Sequence, residues 1–269
     1  MADPRPIGVF DSGVGGLSVV AALEAALPAE SIVYLGDTAR LPYGTKSPQT
    51  VERYALSAAR ALVAEGVKMV VIACNTASAV ALDAVRRALA PVPVVGVVEP
   101  GAAAAVATGA RRVLVLATEG TIRGGAYERA IAHMAPDVEV VGVACPLFVA
   151  LAEEGWTCGE IPVQIARHYL QAHLSPRPDA IVLGCTHFPL LSGVVAEVAG
   201  PAVRLVDSAE TTARRISAEL HATGLAAARR GSGGLVLLAT DGAERFARVG
   251  SRFLARPIGA RDVRIVNLP

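Results

Sequence analysis

Cys74 stands at the end of the apolar run in VVIACNTASA (70–79), and Cys185 at the end of the run in IVLGCTHFPL (181–190). Each thiol is followed by small polar side chains, Asn75-Thr76 in one case and Thr186-His187 in the other. A single cysteine after a strand is most simply a small buried hydrophobe. Two in matching contexts, each at the start of a helix, ask for another reading. Backbone N–H groups at a helix start favour negative charge, so these thiols are expected to ionise below the free value of about 8.5 and to exchange protons near neutral pH. Two such thiols on opposite sides of one carbon suit inversion of a stereocentre. One sulfur removes a proton and the other delivers a proton to the opposite face, which a single base does not readily do.

Other groups stand close enough in sequence to tune the thiols. Asp11 ends the first apolar run, in FDSGVGG (10–16), His187 lies two residues after Cys185, and Glu153 closes CPLFVALAE (145–153). Each also has a plainer reading. Asp11 with Ser12 could cap the helix that begins near Leu17, His187 could be a satisfied core imidazole, and Glu153 could be a solvated acid beside Glu154. Asp37 in YLGDTARLPYG (34–44) could be a turn residue. The glycines of DSGVGG do not form a dinucleotide fingerprint, because Ser18 occupies the place of its third glycine. Gly13, Gly15 and Gly16 are read instead as letting backbone approach a small anionic ligand.

The elements that must position these residues alternate along the chain. Strand-like runs at 7–10, 31–37, 68–74, 92–98, 112–118, 138–144, 180–185, 203–207 and 234–240 are separated by Ala/Leu-rich helical stretches at 17–28, 47–66, 76–89, 121–134 and 208–224. Continuous apolar strands alternating with amphipathic helices predict mainly parallel sheets covered on both faces. VVEPGAAAA (97–105) reads as a crossing at Pro100-Gly101 and DSAETTA (207–213) as a return. The expected organisation is residues 1–98 plus 208–269 as one α/β domain carrying Cys74, with residues 99–207 inserted as a second carrying Cys185. The Cys74 and Cys185 segments echo one another, and 7–20 and 113–127 form a looser pair, so two related α/β/α halves with a pseudo-twofold are expected. Ligands of such sheets sit at the carboxyl ends of strands, which would place both cysteines in one interdomain cleft.

The bulk numbers exclude several classes. With 25 basic and 24 acidic residues the net charge is +1, which gives no case for direct nucleic-acid binding. A mean hydropathy of +0.48 raises the membrane question, but the longest charge-free segment, between Asp179 and Glu197, is short and broken by polar residues. MADPRPIGVF lacks a basic region followed by an apolar one, so a cytoplasmic, reducing location is expected. The four cysteines, at 74, 145, 158 and 185, contain no Cys-x-x-Cys pair and match no structural zinc spacing, so no metal is expected. Cys145 and Cys158 are read as structural thiols.

FDSGVGGLSV (10–19), GDTARLPYGTKS (36–47), ACNTAS (73–78), VEPG (98–101), CPLFV with EEG (145–155), GCTHFPLL (184–191) and VDSAE (206–210), in this order, resemble the signature segments of glutamate racemases, with a weaker match in 237–254. The resemblance implies a cofactor-independent racemase of L- and D-glutamate in the aspartate/glutamate racemase superfamily, without metal, supplying D-glutamate for peptidoglycan. It makes Cys74 and Cys185 the two catalytic thiols, the first serving D-glutamate and the second L-glutamate. It makes Asp11, His187 and Glu153 their assistants. Substrate contacts carry over to Asp11, Ser12, Pro42, Tyr43, Gly44, Asn75, Thr76, Thr118, Thr121, Thr186 and His187, besides the thiols. A homodimer is implied, and the resemblance also admits an interaction with DNA gyrase. An aspartate racemase of the same superfamily is the neighbouring alternative. Ala117, Gly124 and Phe188 depart from the family's commoner Gly, Ser and Tyr.

Overall fold

The computed structural model describes residues 3–228 and 231–268. The first half runs β1 (Ile7–Asp11), α1 (Leu17–Ala26), β2 (Ile32–Gly36), α2 (Pro48–Ala64), β3 (Met69–Ile72), α3 (Asn75–Leu89), β4 (Val94–Gly96), α4 (Val98–Ala107) and β5 (Arg112–Ala117). Then follow α5 (Glu119–Gly124), α6 (Ala126–Met134), β6 (Glu139–Ala144), α7 (Pro146–Glu154), α8 (Glu160–Leu170) and β7 (Ala180–Gly184). The chain ends with α9 (Ser192–Ala199), β8 (Arg204–Asp207), α10 (Ser208–Ala222), β9 (Leu235–Ala239), α11 (Ala243–Leu254) and β10 (Val263–Ile265).

The strands form two sheets, and every pairing within them is parallel. One has the order β10-β9-β2-β1-β3-β4 and the other β6-β5-β7-β8. The run β2-β1-β3-β4 of the first sheet has the same pattern as the whole of the second, a strand, its predecessor, then the next two. β3 and β7, which lead into Cys74 and Cys185, hold equivalent places, as do β1 and β5. The sequence echo therefore has a counterpart in strand order.

Both faces of each sheet are covered, which explains the unbroken apolar strands. In β3, Met69 and Val71 point into the core shared with α1, α10 and α11, while Val70 and Ile72 point into the core shared with α2 and α3. In β5, Leu114 and Leu116 face α7, α8 and α9, whereas Val113 and Val115 face α4 and α6. Each large aliphatic side chain fully removed from water in these layers contributes about 1.5–3 kcal/mol. Helix ends follow local chemistry. Ser47 caps α2 by accepting the Thr50 N–H at 3.3 Å, with Pro48 in the first turn and Gly66 in the left-handed region (φ 76°) beyond its end.

The structure refines the sequence reading in several places. The crossing read at Pro100-Gly101 lies inside α4. Proline is tolerated in a first turn, where its missing N–H would find no helical partner, and the alanines that follow propagate the helix. The single helix expected over 121–134 is two, separated by Gly125 in the left-handed conformation (φ 60°). β10 adds an edge strand too short to read from its pattern. The helix expected over 208–224 is α10, which begins at the return near residue 207, and its Ala209, Ala213, Ile216 and Leu220 enter the core that also holds Leu17, Val20 and Leu23 of α1. Among the described residues, no helix is long and apolar enough to cross a membrane.

Candidate active site

The loops after β1, β2, β3, β5 and β7, with the end of α7, bring the sequence-selected residues together. Cys74 ends the stretch after β3 and is the N-cap of α3, its Sγ accepting the Ala77 N–H at 3.5 Å and donating to Ser12 Oγ at 3.7 Å. Cys185 follows β7, and its Sγ lies 3.8 Å from His187 Nδ1. The two strand ends approach closely. A Cβ added to Gly15 would lie 2.4 Å from Thr186 Oγ1 and 2.6 Å from His187 Nδ1, and one at Gly16 would lie 2.6 Å from Asp11 Cβ. Ser18 Oγ also donates to the Thr186 carbonyl at 3.2 Å. Glycine here is a requirement of close approach.

The two thiols meet neighbours of opposite sign. Asp11 is fully buried, and its Oδ2 accepts the Gly13 N–H at 3.0 Å while Oδ1 has no hydrogen-bond partner. It does not cap α1, whose N-cap is Gly16 with no side-chain cap. Burial raises the Asp11 carboxyl above its ordinary range, against the pull of the His187 charge and the amides of the turn. Burial likewise pushes the Cys74 thiol up to about 12, and the Asp11 charge adds to the shift, while the Ala77 N–H and Ser12 work against it. The expectation of a depressed Cys74 pKa is therefore corrected, because loss of water around the sulfur outweighs the helix-start amides.

On the other side, His187 Nε2 lies 3.1 Å from Glu153 Oε1. Burial alone would lower His187, but Cys185 and Glu153, with the Asp11 charge, raise it to about 10, so the ring is a cation at neutral pH. The His187 hydrogen bond, helped by Arg245, holds Glu153 below the usual carboxylate range in spite of burial. Glu153 is thus joined to Cys185 through the imidazole rather than by direct contact.

Hydroxyls and amides fill the rest of the site. Thr76 Oγ1 lies 2.9 Å from Thr118 Oγ1 and 3.2 Å from Thr121 Oγ1, and the latter two are 3.1 Å apart. This triangle joins the loops of both sheets. Asn75 Nδ2 donates to Tyr127 Oη at 2.8 Å, leaving its buried Oδ1 without a partner. Gly44 packs against Thr118, with a Cβ there only 2.8 Å from Thr118 Cβ. Tyr43 spends its hydroxyl differently, donating to buried Asp37, which also accepts from Arg40 Nε at 2.7 Å and Thr240 Oγ1 at 3.0 Å. Asp37 is thus more than a turn residue. It holds the loop that carries Pro42 and Gly44. Cys145 is buried and donates to the Val143 carbonyl at 3.5 Å, whereas Cys158 is exposed.

Sequence reading did not select Tyr127, Arg245 or Phe253. Tyr127 looks like one more apolar helix residue. Arg245 and Phe253 sit on α11, far along the chain from Glu153 and His187. Among the described residues, no cluster of three or more His, Cys, Asp or Glu side chains has a metal-holding arrangement.

This pattern of strand ends has known counterparts. The profile of Asp/Glu/Hydantoin racemases matches residues 7–216. A glutamate racemase from Geobacter metallireducens is 51% identical over 265 residues, covering 98% of this chain and 97% of the relative. The chain belongs to the glutamate racemase family. The crystal structure of the glutamate racemase from Francisella tularensis, in complex with D-glutamate, superposes with a TM-score of 0.91 at 36% identity, covering 98% of each chain. That of the Thermus thermophilus glutamate racemase, in complex with β-chloro-D-alanine, gives 0.88 at 44% identity, again covering 98% of each. The two-lobed architecture of parallel sheets is therefore the glutamate racemase fold.

Proposed function

We propose that this chain is an amino-acid racemase that interconverts L- and D-glutamate without a cofactor, with Cys74 and Cys185 as the two acid–base groups. The observation that carries the reading is the placement of two thiols at equivalent strand ends, each beside a group able to tune it. One sulfur, as thiolate, takes the α-proton, and the C–H electron pair stays on Cα and spreads into the α-carboxylate. The opposite thiol then gives its proton to the other face, leaving the first sulfur protonated and the second as thiolate. Cys74 acts on D-glutamate and Cys185 on L-glutamate in this assignment.

The remaining roles follow from the contacts. The unpartnered oxygens of Asp11 and Asn75 are acceptors suited to the substrate ammonium. Ser12, Thr76, Thr118, Thr121 and Thr186, with backbone N–H groups of the glycine turns, are donors suited to the carboxylates. His187, held by Glu153, meets negative charge that arises on Cys185. The Pro42-Tyr43-Gly44 loop closes over the 118–121 turn, where exclusion of water strengthens every one of these interactions. We assign residues 1–98 with 208–269 to one domain and 99–207 to the other, with closure between them a part of turnover. The reading includes a cytoplasmic homodimer supplying D-glutamate for peptidoglycan.

Circular dichroism of purified protein with each enantiomer of glutamate and of aspartate, run in deuterium oxide, tests the proposal. Expected are loss of optical activity with glutamate and entry of deuterium at Cα. Racemisation of aspartate at the faster rate would move the assignment to the aspartate enzyme. Racemisation that retains the α-hydrogen would end the two-thiol reading.

A further inference from the structure

α11 lies outside the stretch matched by the family profile, residues 7–216, yet one stripe of it reaches the catalytic histidine. Arg245 Nη2 donates to Glu153 Oε2 at 2.7 Å. The other oxygen of that carboxylate, Oε1, is the one 3.1 Å from His187 Nε2, and Nδ1 of the same ring is the atom 3.8 Å from Cys185 Sγ. Two more residues of the stripe act nearby. Arg252 donates to the Glu153 carbonyl, and the Phe253 ring meets the His187 ring edge-on, with centroids 5.0 Å apart. Phe246, Val249 and Phe253 anchor α11 in the core of the six-stranded sheet, whereas Leu151 anchors α7, the helix that ends at Glu154, in the core of the four-stranded one. The contact therefore spans the two lobes.

We propose that Arg245 is a positioning residue for the Cys185 half of the reaction, acting across the lobes through Glu153 to fix the His187 ring. The proposal rests on the racemase reading for its kinetic consequence and on geometry alone for its structural one. A carboxylate with both oxygens engaged cannot rotate. Without Arg245, Oε2 faces solvent and the group is free to swing off Nε2, which leaves the ring without the partner that sets its tilt towards Cys185. The Arg245 side chain is 53% exposed, so its charge is screened and its contribution lies in orientation more than in field.

Two measurements test this. In the unliganded protein, nitrogen-15 NMR of the His187 ring is expected to show a shifted Nε2 resonance in Arg245→Ala that Arg245→Lys restores. This readout needs no turnover, so it stands even if glutamate is not the substrate. In kinetics, Arg245→Ala is expected to lower kcat/KM roughly fivefold, as loss of a partly exposed pair would. The α-deuterium isotope effect should rise with one enantiomer only, the one whose proton Cys185 removes, and Arg245→Lys should recover most of the rate. In a Glu153→Gln background the same Ala substitution should change kcat/KM less than about twofold. An unshifted His187 resonance, an undiminished effect in the Glu153→Gln background, or isotope effects rising equally with both enantiomers would overturn the proposal. Failure of the unmodified protein to racemise glutamate would sink the racemase reading and leave the NMR result to decide this one.

Discussion

Cys74 and Cys185 occupy equivalent positions at the ends of β3 and β7, but their surroundings are not equivalent. Cys74 faces Ser12 and the buried carboxyl of Asp11, whereas Cys185 faces the cation of His187, itself backed by Glu153. Backbone repetition supplied two sulfurs in matching places, and side chains then gave the two halves opposite electrostatics. Symmetry of chain path does not impose symmetry of charge. A racemase needs one proton acceptor and one donor at the start of every turnover, and unlike neighbours on the two sides provide a built-in difference between them.

The severest test of this comparison is removal of either sulfur. Cys74→Ala and Cys185→Ala should each lower racemisation on the order of a thousandfold while leaving the far-ultraviolet spectrum unchanged. Retention of near-normal rates by one of them would leave a single-base mechanism in its place. Next in size is His187→Asn, expected to cost about a hundredfold in kcat/KM by removing the cation from the Cys185 side only. The same variant checks a linkage. The His187 pKa in the folded protein, about 10, lies above its ordinary value of 6.5, so its contribution to stability is whole below 6.5 and is lost as pH rises towards 10. Urea unfolding of the parent protein at pH 7 and at pH 10 should therefore show a larger fall in stability than His187→Asn shows.

A smaller effect is expected from Tyr127→Phe. The variant keeps the ring in its core but frees Asn75, and should raise KM about fivefold, in keeping with the roughly 1 kcal/mol of one hydrogen bond. An unchanged KM would remove Tyr127 from the site. The least effect concerns Cys74 alone. With its thiol pushed up to about 12, it should resist iodoacetamide at neutral pH while exposed Cys158 reacts, as peptide mass mapping would show. Rapid alkylation of Cys74 at pH 7 would mean that burial, with the Asp11 charge, does not hold it protonated.

Much of this was legible in the chain. Apolar runs that end in Cys74, Cys185 and Asp11 mark strand ends, and in a parallel sheet functional groups collect there. Burial on both faces makes such runs unmistakable. The helical stretch expected from residue 47 likewise starts where Ser47 and Pro48 cap and open α2. What escaped depends on solvent exclusion or on distant partners. The sign of the Cys74 shift follows from its burial in the folded protein, which no local pattern encodes. Pro100-Gly101 reads as a crossing because proline and glycine usually punctuate, while the helix there escapes the pattern because a first turn followed by alanines accommodates both. Arg245 and Tyr127 reach Glu153 and Asn75 from far along the chain, and only the folded arrangement couples them.

The Thr76, Thr118 and Thr121 oxygens lie within hydrogen-bond distance of one another, so each can both give and receive around the ring, and nothing in the heavy atoms fixes the sense of circulation. Three hydrogens turning together would reverse that sense and re-aim the spare lone pairs without shifting the backbone. With these threonines as the substrate donors proposed above, a catalyst that must accommodate left- and right-handed forms of one molecule would gain from such an ambidextrous grip, since the two hands differ in where their polar arms fall.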